Sequence, residues 1–181
     1  MTLKYKNKGI SYIEFILVLA IMILLTTLAT VTMSIVNRNN VTKGADRVTT
    51  GIAHAKTLSL SKGTNKGSIT FAAKGNNVYY YYGTNYGDKY SVCTAPCTVI
   101  INVAGVPYSI SGNTQLRFKL SPSTGAFVGA DYSADGGGSF TSIISDTNGF
   151  SGLNRIVINN NHGKTANIDL NVHVGTVKVS Y

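Results

Sequence analysis

One stretch of the sequence constrains the chain more than any other. Met1 to Gly9 carries Lys4, Lys6 and Lys8, and an apolar run with a few interspersed threonines and serines follows from Ile10 to Val36. As a helix rising about 1.5 Å per residue, such a run is long enough for a hydrocarbon core of about 30 Å. The positive-inside rule holds the lysine-rich end in the cytoplasm and sends the rest of the chain outward. The expectation is a single-pass inner-membrane protein with an extracytoplasmic domain. An ordinary secretory signal would close on a small-residue cleavage site. Ala29 and Thr30 are the nearest approach to one, and their surroundings do not support it.

Glu14 stands out within this run. A carboxylate among apolar residues costs a few kcal/mol in lipid and usually has a partner. One reading leaves Glu14 near an interface, where it stays wet. The other needs a cation at the same depth, and the apolar run contains no basic residue. Cleavage after Gly9 would create one, the new α-amino group of Ile10.

Lys8-Gly9-Ile10-Ser11-Tyr12-Ile13-Glu14, leading directly into the apolar run, resembles the class III signal and N-terminal helix of type IV pilins and pseudopilins. The features that match are a short basic leader, a glycine at the cut, a glutamate at the fifth mature position and a continuous apolar helix. The resemblance implies a prepilin peptidase that cuts between Gly9 and Ile10 and methylates Ile10. It makes Glu14 the carboxylate used in assembly with other pilin subunits. It also implies an α+β pilin fold: a long N-terminal hydrophobic α-helix packed on an antiparallel β-sheet head domain. The sequence departs from the family in starting its mature chain with isoleucine, in Tyr12, and in lacking a proline late in the helix.

The remainder divides into three patterns. After the polar stretch Asn37-Arg38-Asn39-Asn40, Val48, Ile52, Ala55 and Leu58 recur every three or four residues and share one helical face. That predicts an amphipathic helix from about Val41 to Leu60, closed near Lys62 and Gly63, with Gly44 and Gly51 weakening it. Beyond Gly63, short β-like runs alternate with turn residues. Strands are expected at 68–72, 78–82, 98–103, 115–120, 155–158, 166–172 and 176–181, with a hairpin at 159–163 and a tight turn at Gly175. The domain plan is a leader at 1–9, an assembly helix at 10–36, its amphipathic continuation at 37–62 and a β-rich head at 63–181. The order of helix, strands, glycine turn and final strand resembles the GspH/FimT group of minor pseudopilins.

Composition narrows the function classes. The 181 residues are 44% hydrophobic and 13% charged, which excludes an acidic disordered tail. Sixteen Lys+Arg against seven Asp+Glu give +9, and removing the three leader lysines leaves thirteen minus seven, or +6. Such charge is compatible with anionic lipid or nucleic acid and proves neither. Two cysteines exclude a four-thiolate cluster. Cys93 and Cys97 are a candidate disulfide, favoured by export to an oxidising compartment, with free thiols or a redox pair as the alternatives.

No arrangement of His54, His162 and His173 with a nucleophile suggests catalysis, so no catalytic residue, metal or cofactor is assigned. Asp131, Asp135 and Asp146 flank a glycine-rich loop and could bind calcium if that loop folds around an ion, although their spacing matches no regular calcium loop. Tyr79 to Tyr82, with Tyr86 and Tyr90, are explained by sheet packing. The functional alternative is a DNA-binding minor pilin, as some members of the GspH/FimT group are. It would stack bases on exposed tyrosines and hold phosphates with Lys89, Arg117, Lys119, Arg155, Lys164 and Lys178. The main expectation is a non-enzymatic structural subunit of a type IV pilus, type II secretion pseudopilus or competence fibre.

Overall fold

A computed structural model of the chain describes residues 11–75, 77–83, 87–93, 97–136, 139–160 and 164–181, with 29–38 as backbone only. The chain divides into two compact units, Met1–Val36 and Asn37–Tyr181. Helix α1 runs over Tyr12–Lys62, and a four-residue helix α2 follows at Thr64–Gly67.

In the second unit, α1 buries one narrow stripe: Val41, Ala45, Val48, Ile52, Ala55 and Ser59. The alternating spacing of four and three keeps these residues on one face. Ser59, not the expected Leu58, completes the stripe, because its hydroxyl donates to the Leu120 carbonyl at 2.8 Å. A buried hydroxyl with that partner avoids the desolvation cost of an unpaired one. The two glycines that seemed to weaken the helix let it approach its neighbours. A Cβ on Gly51 would stand 2.8 Å from the Tyr80 ring, and one on Gly44 would stand 3.1 Å from the Val92 carbonyl oxygen. Gly63, at φ 83° and ψ 170°, ends the helix in a positive-φ conformation that glycine tolerates best.

The rest of this unit is mostly β. Among the described residues, eleven strands form two antiparallel sheets. The first has the order β3-β2-β1-β6-β7-β8, with β1 at Ile69–Lys74, β2 at Asn77–Tyr82, β3 at Tyr90–Cys93, β6 at Gln115–Leu120, β7 at Phe127–Ser133 and β8 at Thr141–Ile144. The second has the order β11-β10-β9-β4-β5, with β4 at Cys97–Val103, β5 at Val106–Ile110, β9 at Arg155–Asn160, β10 at Thr165–Asn171 and β11 at Thr176–Ser180. Period-2 burial is clear in β9 and β10, where Ile156, Ile158, Ala166 and Ile168 point inward. Phe71, Phe118 and Phe127 from the first sheet join these residues and the α1 stripe in one core. Phe118 sits edge-on to Phe127, with ring centroids 5.3 Å apart, an orientation favoured by the ring quadrupoles.

Two expectations are corrected here. The first is the α+β pilin fold with a long hydrophobic helix packed on an antiparallel sheet. The described residues instead form eleven strands in two sheets, and the stretch of α1 that packs on them is the small-residue stripe from Val41 to Ser59. Four of the strands, β3, β5, β7 and β8, were not expected. Pro107 interrupts β5, Gly129 and Asp131 interrupt β7, and β3 and β8 have four residues each. The second correction concerns the single-pass inner-membrane localisation and its transmembrane helix. Among the described residues, no helix is long and apolar enough to cross a membrane.

Candidate functional site

Gly9 and Ile10 lie outside the described residues. Glu14 is described, and its carboxylate has a local partner: Oε2 accepts the Ser11 backbone N–H at 2.8 Å. Since α1 begins at Tyr12, Ser11 occupies the N-cap position and Glu14 the third helical position. Ser-x-x-Glu before an apolar run is the sequence form of a capping box, in which the glutamate reaches back to the N-cap amide. The local amide of Ser11 thus partners a carboxylate that the cost of charge in lipid leaves without one. The positive end of the helix dipole also favours a negative charge there. From Tyr12 to Leu28 every side chain is exposed, and Glu14 is the only charged one. Thr26 and Thr27 return their hydroxyls to carbonyls of the preceding turn, at Ile23 and Leu24.

The tyrosine run divides across the two faces of β2. Tyr80 and Tyr82 face α1, where Tyr80 lies against Gly51 and Tyr82 meets the His54 ring edge-on at 4.8 Å. Tyr81 is buried on the opposite face and donates to Gln115 Oε1 at 2.9 Å. Tyr90, from β3, stacks on Tyr80 at 5.3 Å with 17° between planes and lies 5.6 Å from Tyr82. Burial pushes the Tyr80 hydroxyl pKa up. It pushes Tyr82 up further, with the neighbouring Tyr80 adding to the effect. Tyr86 lies outside the described residues.

Beside these rings opens a cleft of about 530 Å³, lined by His54 and Lys62 of α1, Lys66 of α2, Tyr82, Asp88 and Tyr90. The volume is in the range of small-molecule sites, roughly 300–1,000 Å³. Apart from the tyrosines, none of these residues was singled out for binding in the sequence. The end of α1 and strand β3 lie far apart along the chain, and β3 was not recognised, so nothing in the sequence brought them together.

The six basic candidates are not assembled into one patch. Asp131, nearly fully buried, holds Lys119 Nζ at 2.8 Å and Arg117 Nε at 3.3 Å. Arg117 also lies over the Phe140 ring, 3.7 Å from its centroid. Arg155 Nε pairs with Asp169 Oδ1 at 2.5 Å. Three of the six are thus held by carboxylates, and they are divided between β6 in the first sheet and β9 in the second. Lys178 lies on β11 at the edge of the second sheet; it and Lys164 are exposed, and Lys89 is half-buried.

The acidic candidates are similarly dispersed. Asp131 serves the pairs above, Asp135 accepts from Ser133 Oγ at 2.7 Å, and Asp146 accepts the Gly149 N–H at 2.7 Å. Among the described residues, no three His, Cys, Asp or Glu side chains are grouped to hold a metal ion. His173 is exposed, and His162 lies outside the described residues. Cys93 and Cys97 form a disulfide with Cα atoms 6.1 Å apart. The bond joins the end of β3, an edge strand of the first sheet, to the start of β4 inside the second. Its position makes it a staple between sheets.

No protein-family model, curated protein or solved structure matches this chain.

Proposed function

We propose that the chain is a structural fibre subunit of the type IV pilin or pseudopilin kind, assembled through the first part of α1. One observation carries the reading: from Tyr12 to Leu28 the helix is apolar on every side except at Glu14, and every side chain is exposed. A helix that is hydrophobic all round is stable in water only when something covers it. Equivalent helices of other copies can do so, stacking Phe15, Leu17, Leu24 and their neighbours in a shared core.

In this reading a prepilin peptidase cuts after Gly9, and the ammonium of Ile10 is compensated by Glu14 of the same or an adjoining subunit. Coulomb attraction is stronger in a low-dielectric bundle than in water, although desolvation offsets part of that gain. The charge pair then sets register, while the apolar side chains supply the packing.

The capping contact of Glu14 dictates the test. Glu14→Gln keeps an oxygen that can accept the Ser11 N–H but removes the charge, whereas Glu14→Ala removes both. Fibre incorporation of the Gln variant should fall roughly tenfold, an interaction of about 1.4 kcal/mol, with the circular dichroism of the chain unchanged. Equal incorporation of parent and Gln variant would refute the charge role. Mass spectrometry of the chain from its native cell should find an N-terminus at Ile10, and one that begins at Met1 would rule out processing.

A further inference from the structure

We propose that the cleft between the end of α1 and the Tyr82–Tyr90 pair binds a saccharide carrying a carboxylate. The proposal does not depend on fibre assembly, since the cleft lies wholly within the second unit. Tyr90 is 46% exposed, while its stacking on Tyr80 anchors the ring in place. That leaves aromatic surface available without ordering a mobile side chain. The electron-rich face of a phenol attracts the partly positive C–H face of a sugar ring, as it attracts other positive charge.

The polar groups of the cleft suit the same ligand. Lys62 and Lys66 are exposed, and among the described residues neither makes an ion pair. Two ammonium groups on one wall can hold a carboxylate. Asn65 and Asp88 add an amide and a carboxylate to the lining, groups that donate to and accept from hydroxyls. With Lys62, Lys66 and Asp88 the lining carries two minus one, or +1. That balance, with two ammonium groups in the lining, suits a ligand of one or two carboxylates. It is too small for a polyanion, whose binding depends on several lysines or arginines neutralising successive phosphates. The pairing of Arg117, Lys119 and Arg155 with carboxylates removes the cations that would have extended such a track. An acidic sugar is therefore favoured over a nucleic acid strand.

The test is titration calorimetry of the full chain with digalacturonate, with the neutral disaccharide galactobiose and with a short oligothymidylate. The chain has no tryptophan, so tyrosine fluorescence gives a second readout close to the site. Digalacturonate should bind in the millimolar range or tighter, and more tightly than either comparison ligand. Tyr90→Ala should weaken it roughly tenfold. The double variant Lys62→Gln/Lys66→Gln should erase the preference for the acidic over the neutral disaccharide. Both lysines are exposed, so this variant keeps its fold even if Tyr90→Ala does not. Lys178→Gln, on the edge of the second sheet, should change nothing. Absence of digalacturonate binding, a preference for oligothymidylate, or an undiminished acidic preference in the double lysine variant would each overturn the proposal.

Discussion

The two units use helix α1 in opposite ways. From Tyr12 to Leu28 it presents large apolar side chains to solvent, with Leu17 61% and Leu24 62% exposed. From Val41 to Ser59 it presents small and β-branched residues to a core and leaves its charged residues, Asp46 and Arg47 among them, outside. The more hydrophobic stretch is the less buried one. Hydrophobicity sets how strongly a surface seeks cover, whereas burial within one chain requires a complementary surface. In the second unit, Gly44 and Gly51 supply that complementarity by admitting the Val92 carbonyl and the Tyr80 ring.

The contrast should be sharpest in a paired experiment. Phe118 is fully buried between Phe71 and Phe127, and Phe118→Ala should cost the second unit about 3–5 kcal/mol in chemical denaturation. Leu17→Asn should shift the same transition by less than about 0.5 kcal/mol, as surface changes usually do, while reducing self-association in sedimentation. A comparable loss of stability from both substitutions would break the distinction between the regions.

A smaller effect tests the glycine fit. Gly51→Ala should gain about 1 kcal/mol of helix propensity yet lose more by overlap with the buried Tyr80 ring, where overpacking costs about 1–3 kcal/mol. A net loss near 1 kcal/mol is expected. A stabilised variant would show that the close approach is not needed.

The smallest effect appears only in alkali. Tyr80 and Tyr82 have pKa values raised above the ordinary 10.0 by burial. Their neutral forms are therefore favoured in the folded chain. The stability this contributes is fully present below about pH 10 and is lost as the pH rises through the folded values. Tyr82→Phe should flatten part of that alkaline loss in a pH series of denaturation midpoints and leave the neutral midpoint nearly unchanged. An identical alkaline slope in the variant would show that Tyr82 does not titrate with unfolding.

Much of the second unit was legible from local pattern. Val48, Ile52 and Ala55 announced the helical stripe, and Gly63 its end. Seven of the strands carried alternating β-branched or aromatic residues that period-2 burial explains. The strands that escaped are short or contain Pro107 or Gly129, and they exist because neighbours supply their hydrogen bonds. For the site, Ser11 and Glu14 were readable as a capping box, since both partners lie within one turn. The cleft was not readable, because it joins His54, Lys66 and Tyr90, residues that only folding brings together.

The sequence alone marked the apolar stretch with its lone carboxylate, the amphipathic stripe and two cysteines close enough to pair, all of which depend on spacing along a few turns or residues. Tertiary structure decided that the strands make two sheets, that Arg117 and Lys119 are held by Asp131, and that a tyrosine-walled cleft opens beside α1. Such features depend on which distant segments pack against one another. A local pattern specifies which face of an element seeks burial and leaves its partner open, so the choice is made only when the surfaces meet.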